Sequence, residues 1–320
     1  MIHRIFTVLF TLWCLITGLT AQEIKKPNVL FIAIDDLNDW VGFMGGHPQV
    51  LTPHMDALAK RGRNFLNAHC AVPVCSASRA SVMSGVAATT HGSYELGPRY
   101  EQLPALKEVP TLQRYFKNHG YATLSGGKVL HHNFNGRLAE DIDQSLGRTR
   151  SPRPKKPMNR PVNWSGAWDW GAYPTQDAEM ADIQLAHNVA KALKEDFDKP
   201  FFMSVGFFRP HVPLFVPPKW FALYDADKIA LPKNPKSDLD DLPKNFLRIN
   251  DYAVAPTHAE VVSGGKQRGQ HPEEDADGLL HLSEVSSARH GSTDAIAGLG
   301  AHRPRWSTPP HARSIVGAVW

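Results

Sequence analysis

The sequence predicts an α/β fold with a largely parallel central sheet. Three observations predict it. Two apolar runs, "NVLFIAI" (28–34) and "KPFFMSVGFF" (199–208), lack the polar alternation of a half-exposed strand, so they read as strands covered on both faces. Helical patterns with start and stop residues lie between them. Asp35, Lys128, His131 and His211 each follow a strand-like run, and in parallel sheets sites collect at the carboxyl ends of strands.

The elements follow in order along the chain. Arg4 leads into an apolar run from Ile5 to Leu19, then small residues and Ala21. That is the layout of a secretory signal peptide spanning 1–21. The run is shorter than the ~20 residues that a spanning helix needs. The mature chain is therefore expected to begin near Gln22, without a membrane span, in a secreted or periplasmic protein. "NVLFIAI" stops abruptly at "DDLND", which places Asp35 and Asp36 at the strand's carboxyl end. "TPHMDALAKRG" predicts a helix with Thr52 as cap, Pro53 in its first turn, Met55, Leu58 and Ala59 on one face, and Gly62 as stop. "SRASVMSG" after Cys75 predicts another short helix. "VPTLQRYFKNHG" repeats the pattern, with Leu112, Tyr115 and Phe116 inward and Gly120 as stop, and "YATLSGG" follows as a strand. The longest amphipathic pattern is 176–195, with Met180, Ile183, His187, Ala190 and Leu193 on one stripe.

Composition narrows the class. The chain of 320 residues is 42% hydrophobic and 21% charged, ordinary for a globular protein able to bury a sizeable core. A net charge of +4 is too small to argue for nucleic acid, and no basic stripe interleaved with aromatics is present. The basic segment "RTRSPRPKKPMNRP" (148–161) is either a solvated loop or a landing strip for an anionic substrate. Loss of the signal removes Cys14 and leaves Cys70 and Cys75, whose pairing would close a very small loop; a disulfide framework is not supported. After residue 268 the texture changes. Apolar periodicity is lost, and His, Gly, Ser, Ala, Arg and Pro dominate 269–320, with no strand of useful length before the last few residues. That tail is expected to be disordered or the product of a shifted reading frame.

Four groups of residues have the chemistry for a site, and each has a plain structural alternative. Adjacent Asp35 and Asp36 offer the oxygen donors that Ca²⁺ and Mg²⁺ prefer, or cap a helix and shape a turn. In "GGKVLHH", Lys128 can grip an anion and His131 can move protons, or the segment is a glycine turn with ordinary polar residues. His211, between two prolines in "RPHVP", is a second proton carrier or a structural histidine. Cys75 is a buried thiol, half of a disulfide or a reactive group. Reactivity needs a helix N-terminus or a cationic neighbour, which "SRAS" and Arg79 can supply, although no thiol-enzyme signature is evident.

"CSASR" (75–79) resembles the Cys-x-Ala/Pro-x-Arg motif of type I sulfatases, in which the cysteine is oxidised to formylglycine. Other segments agree. "KPNVLFIAIDDLND" resembles the family's opening metal-binding strand, and "LTPHMDALAKRGRNFLNAH" the helix and strand before the modified cysteine. "GYATLSGGKVLHH" resembles the second signature, and "KPFFMSVGFFRPHVPLFVPPKWF" a later strand with its histidine. The wording of "GKVLHH" and "RPHVP" is similar to the iduronate-2-sulfatase-like branch. The resemblance runs from about residue 26 to 268.

This resemblance implies an alkaline-phosphatase-like, three-layer α/β fold, incomplete at the C-terminus, with 22–268 as the N-terminal part of the catalytic domain. It implies one Ca²⁺, with Asp35 and Asp36 as the first two ligands and modified Cys75 also touching the metal. Arg79 would steady the modified side chain. Lys128 would contact sulfate, His131 would be the base that ends the reaction, and His211 would lie near the leaving oxygen. A formylglycine-generating enzyme is an implied partner, and a sulfated sugar or polysaccharide the implied substrate. The family's second motif, an Asp followed by Asn or His after a later strand, and a further downstream Lys have no counterpart in this sequence. A chain with only the first two metal ligands is expected to turn over little substrate. A phosphoric or phosphonic ester hydrolase of the same superfamily is the alternative enzyme, and an inactive remnant that binds sulfated glycans is the alternative outside enzymes.

Overall fold

The computed structural model describes residues 26–230, except 133, 135, 148–149 and 161–165, together with 240–241 and a strand at Ile315–Val319. The expected signal segment, 1–21, and most of the 269–320 tail lie outside the described residues. The last residues of that tail form a strand, so the part of it that is described belongs to the sheet.

The two apolar runs become β1 (Val29–Asp35) and β5 (Phe201–Phe207), which pair in parallel at the middle of a five-stranded sheet. β2 (Ala122–Gly127) lies on the far side of β5, and β3 (Gln144–Gly147) beyond it. The strand at Ile315–Val319, labelled β7, covers the other edge of β1, giving the order β3-β2-β5-β1-β7 with every pairing parallel. β4 (Trp170–Ala172) and β6 (Leu214–Val216) form a separate parallel pair.

Side chains alternate along β1 and β5, and both faces are covered. Leu30, Ile32 and Ile34 of β1 and Phe201, Met203, Val205 and Phe207 of β5 form one apolar cluster. It is closed by Met55 of α1 (Pro53–Ala59) and by Leu185, Ala186 and Val189 of the helix at Ala181–Ala192. Val29, Phe31 and Phe202 point to the opposite face, against Leu112 and Phe116 of the helix at Leu112–Asn118. There the Phe116 and Phe202 rings stack with centroids 4.2 Å apart, an arrangement worth about 0.5–1.5 kcal/mol beyond the area it buries. Helices on both faces of a parallel sheet make the three layers expected of the sequence. In chain order the remaining helices are α2 (Cys75–Ser84), α3 (Ala88–His91) and α6 (Pro218–Phe221), with Leu112–Asn118 as α4 and Ala181–Ala192 as α5.

The structure corrects several details. Tyr115 is exposed, not inward; α4 instead buries Gln113, whose amide donates to Ser204 Oγ of β5 at 2.8 Å. A polar partner on the sheet face makes that burial tolerable. His187 is exposed, because Ile183, Ala186 and Ala190 already set the inward stripe of α5. That helix begins at Ala181, after a 3₁₀ turn at Asp177–Glu179. The Thr52 side chain makes no capping bond to the helix backbone; its hydroxyl accepts from the Gly42 amide and donates to Asp56. Residues 63–69 form no strand, and Phe65 and Leu66 lie exposed. A strand needs a ladder partner, and the open edge of β1 is filled by β7.

Candidate active site

All seven residues singled out in the sequence lie where β1, β2 and β5 end and α2 begins. Asp35 closes β1 and is fully buried. Its Oδ1 accepts a hydrogen bond from Arg79 Nη2 at 2.7 Å, and its Oδ2 pairs with Lys128 Nζ. Burial works against ionisation of Asp35, but the Arg79 and Lys128 charges outweigh it and hold the carboxyl below its usual range. Asp36 follows with φ 57°, the left-handed conformation that suits Asp better than most residues, and its carboxylate is half-exposed.

Cys75 is the first residue of α2, and Arg79 lies one turn further along the same helix. Arg79 is 1% exposed, so its charge must be met internally. Besides Asp35 it donates to the carbonyls of Lys128 and Val129, the latter at 3.0 Å. It thus ties α2 to the end of β1 and to the turn after β2. Val129 and Leu130 of that turn pack with Ala80 and Met83 of α2 in a second apolar cluster.

Lys128 follows β2, and its amide donates to Gly206 O at 2.7 Å. Position 206 must be glycine, because a Cβ there would overlap the Lys128 carbonyl. The Lys128 ammonium also lies 4.7 Å from the centre of the Phe208 ring. His131 completes the turn, with Nδ1 3.1 Å from Cys75 Sγ. Burial, reinforced by Lys128 and His132, lowers the His131 pKa to about 4, while burial raises that of Cys75. At neutral pH the thiol therefore keeps its proton and donates to an uncharged imidazole. Cys70 and Cys75 are both free, so the disulfide reading falls.

His211 lies in the turn between β5 and β6. Its Nδ1 faces Val212 O at 2.7 Å and must donate there, since a carbonyl only accepts. Its Nε2 lies 3.8 Å from Oδ2 of both Asp35 and Asp36. Two residues the sequence reading missed hold this turn. Asp182, in the first turn of α5, accepts from the amides of Phe208 at 2.9 Å and Arg209 at 2.8 Å. Buried Arg209 donates to His211 O at 2.6 Å and Phe215 O at 3.2 Å. The acid in the "MADIQ" helix start and the arginine beside "PH" were the available signals.

Asp35 and Asp36 have the hard oxygen donors that calcium takes. Both Asp35 oxygens are nevertheless occupied by Arg79 and Lys128. Among the described residues no three His, Cys, Asp or Glu side chains meet as a metal-binding group. The described residues by themselves do not hold the ion, and a metal here requires further ligands.

A small cavity lined by Ser76, Ala80, Pro98, Tyr100, Glu101, Leu130, His131 and His132 opens beside Cys75. Among the described residues no helix is long and apolar enough to cross a membrane.

Comparison with known proteins gives a consistent answer. The family model described as Sulfatase matches residues 27–267. A sulfatase of Formosa agariphila is 36% identical over 265 residues, which is 77% of this chain and 51% of that protein. Human iduronate 2-sulfatase is 29% identical over 233 residues, 68% of this chain and 40% of that protein. The chain thus spans about half the length, or less, of these relatives. In structure it is similar to the phosphonate monoester hydrolase of Silicibacter pomeroyi, with a TM-score of 0.62 and 18% identity over 92% of this chain and 62% of that one. That likeness supports the fold: the architecture is alkaline-phosphatase-like.

Proposed function

Because this chain belongs to the sulfatase family, we propose that it carries the nucleophile-bearing part of a secreted or periplasmic sulfuric ester hydrolase acting on sulfated sugars or polysaccharides. The observation that carries the reading is Cys75 at the start of α2, 3.1 Å from His131 Nδ1, with Lys128 and Arg79 converging behind it. The sugar class is supported by the similarity to human iduronate 2-sulfatase.

Formylglycine, made from Cys75 by a formylglycine-generating enzyme, would supply a hydrated aldehyde with one hydroxyl to attack sulfur and a second to release sulfate. The chain's own residues do the rest. His131, uncharged above its pKa of about 4, accepts a proton at Nδ1 from the group at position 75. Lys128 and Arg79 share the single Asp35 carboxylate, so the pair would leave one net positive charge to offset the negative charge that sulfuryl oxygens gain. His211 Nε2 lies 3.8 Å from the Asp35 and Asp36 carboxylates; since Nδ1 donates to Val212 O, Nε2 would hand a proton to a departing oxygen only from the doubly protonated ring. A single Ca²⁺ would draw on Asp35 and Asp36 and on ligands beyond the described residues.

The test is turnover by the chain produced together with the modifying enzyme, on matched sulfate, phosphate and phosphonate esters of sugars and phenols. A low rate is expected, since no third metal ligand joins the two aspartates among the described residues. Sulfate esters should be preferred, and Cys75→Ala should remove the activity. Preference for phosphate or phosphonate, or equal turnover by Cys75→Ala, would overturn the reading.

A further inference from the structure

The loop from Arg150 to Arg160 carries five cations and no acid; between Asp143 and Asp169 the sequence has no acidic residue at all. Arg150, Arg153, Lys155 and Lys156 are exposed, and among the described residues none of the four forms an ion pair. Exposed like charges repel, so a free loop would spread them into solvent. This loop is fixed instead. Near one end, Ser151 Oγ accepts from the Ala181 amide at 3.1 Å. At the other, the buried Asp169 carboxylate accepts from the amides of Met158, Asn159 and Arg160, each at 3.0 Å. Prolines 152, 154 and 157 stiffen the stretch between.

The same two supports hold the His211 turn. Asp182, next to Ala181, binds the amides of Phe208 and Arg209. Asp169 O accepts from Leu214 N at 2.9 Å, just beyond His211. Arg153 is near enough to Arg209 for its charge to add to burial in lowering the Arg209 pKa to about 10. Arg209 itself holds His211 O. The basic loop and the His211 turn therefore share two anchors, Asp169 and the start of α5.

We propose that Arg150, Arg153, Lys155 and Lys156 form an exosite for a sulfated glycan chain, binding its further sulfate groups while one ester lies at the candidate centre. This rests on the sulfated-carbohydrate reading above and deepens it: the substrate is an oligomer with several anionic groups, not a lone sulfated monosaccharide. Nucleic acid fits less well, because residues 150–160 contain no aromatic side chain on which a base can stack. A loop backbone anchored at both ends has less freedom left to lose when its side chains bind a chain of anions.

The experiment is retention of the full chain on immobilised heparin, as the sulfated glycan probe, in a rising salt gradient, beside the variant R153S/K155S/K156S. These side chains are exposed, so the variant should keep its thermal midpoint, which is measured in parallel. The wild type should elute at clearly higher salt, with affinity in solution reduced about tenfold or more in the variant. Equal elution would overturn the exosite, as would equal affinity for single-stranded DNA of matched charge. Because retention needs no turnover, the two readings fail separately. Glycan binding without sulfate release leaves the exosite standing and removes the sulfatase activity; sulfate release from a small ester without retention does the reverse.

Discussion

Cys75 Sγ and His131 Nδ1 lie 3.1 Å apart although 56 residues separate them in the chain. The contact joins the start of α2 to the turn after β2, and its electrostatics are informative. A thiol hydrolase needs a thiolate beside an imidazolium. Here burial raises the thiol pKa and lowers that of the histidine, so both partners are neutral. That is a poor nucleophile in its thiol form. It suits a cysteine that is a precursor, and a histidine that serves as a base once the side chain has been changed.

Arg79→Ala should be among the most damaging single changes. It would leave the fully buried Asp35 with Lys128 alone and unpair the carbonyls of Lys128 and Val129. Breaking a buried pair from one side costs about 3–5 kcal/mol. Denaturant unfolding of wild type and variant measures this, and a loss below about 1 kcal/mol would contradict the arrangement. Arg79→Lys should recover little, because one ammonium cannot reach a carboxylate and two carbonyls in the guanidinium's geometry.

Gly206→Ala should be costly despite adding a single methyl. The new Cβ would overlap the Lys128 carbonyl, where backbone has no way to yield without opening the β2–β5 ladder. Overpacking typically costs about 1–3 kcal/mol, and rigid backbone contacts belong at the upper end. The same substitution at Gly166, where a Cβ meets nothing within 4 Å, is the control and should be nearly silent. Equal thermal midpoints for the two variants would contradict the close approach.

Asp143 gives a pH prediction. Burial opposes its ionisation, but Lys117, at 2.7 Å, and the Thr123 amide and hydroxyl outweigh it and lower the pKa below its usual value of about 3.9. A lowered carboxyl pKa contributes stability that is complete above the unfolded value and is lost as pH falls through the folded value. Asp143→Asn should therefore unfold earlier than wild type at pH 6–8, by no more than about 1 kcal/mol for so exposed a pair. The difference should close below pH ~4. A gap that persists or widens in acid would contradict this assignment.

The parts of the fold that were legible share one physical origin: they are set by local sequence. The runs ending at Asp35 and Phe207 are strands because they are almost wholly apolar and are covered on both faces, and Gly120 ends α4 because it takes φ 83°. Tyr115 and His187 were misplaced because a periodic pattern gives a helix's phase only as well as its polar members behave. Gln113 is buried on account of Ser204, ninety-one residues away, which no local pattern reveals. The site divides in the same way. Asp35, Asp36, Cys75, Arg79, Lys128, His131 and His211 were each visible at a strand end or in a motif, whereas Asp182 and Arg209 were not. The pairing of Asp35 with both Arg79 and Lys128 and the bracing of His211 by Asp182 and Arg209 depend on tertiary approach alone.

The central claim is that Cys75 is a precursor and not a working thiol. Peptide mass spectrometry across residues 71–81, on the chain produced with and without a formylglycine-generating enzyme, tests it most directly. Position 75 should lose its sulfur and become an aldehyde when the enzyme is present, and stay a free cysteine when it is not. An unmodified Cys75 in both preparations would contradict the claim.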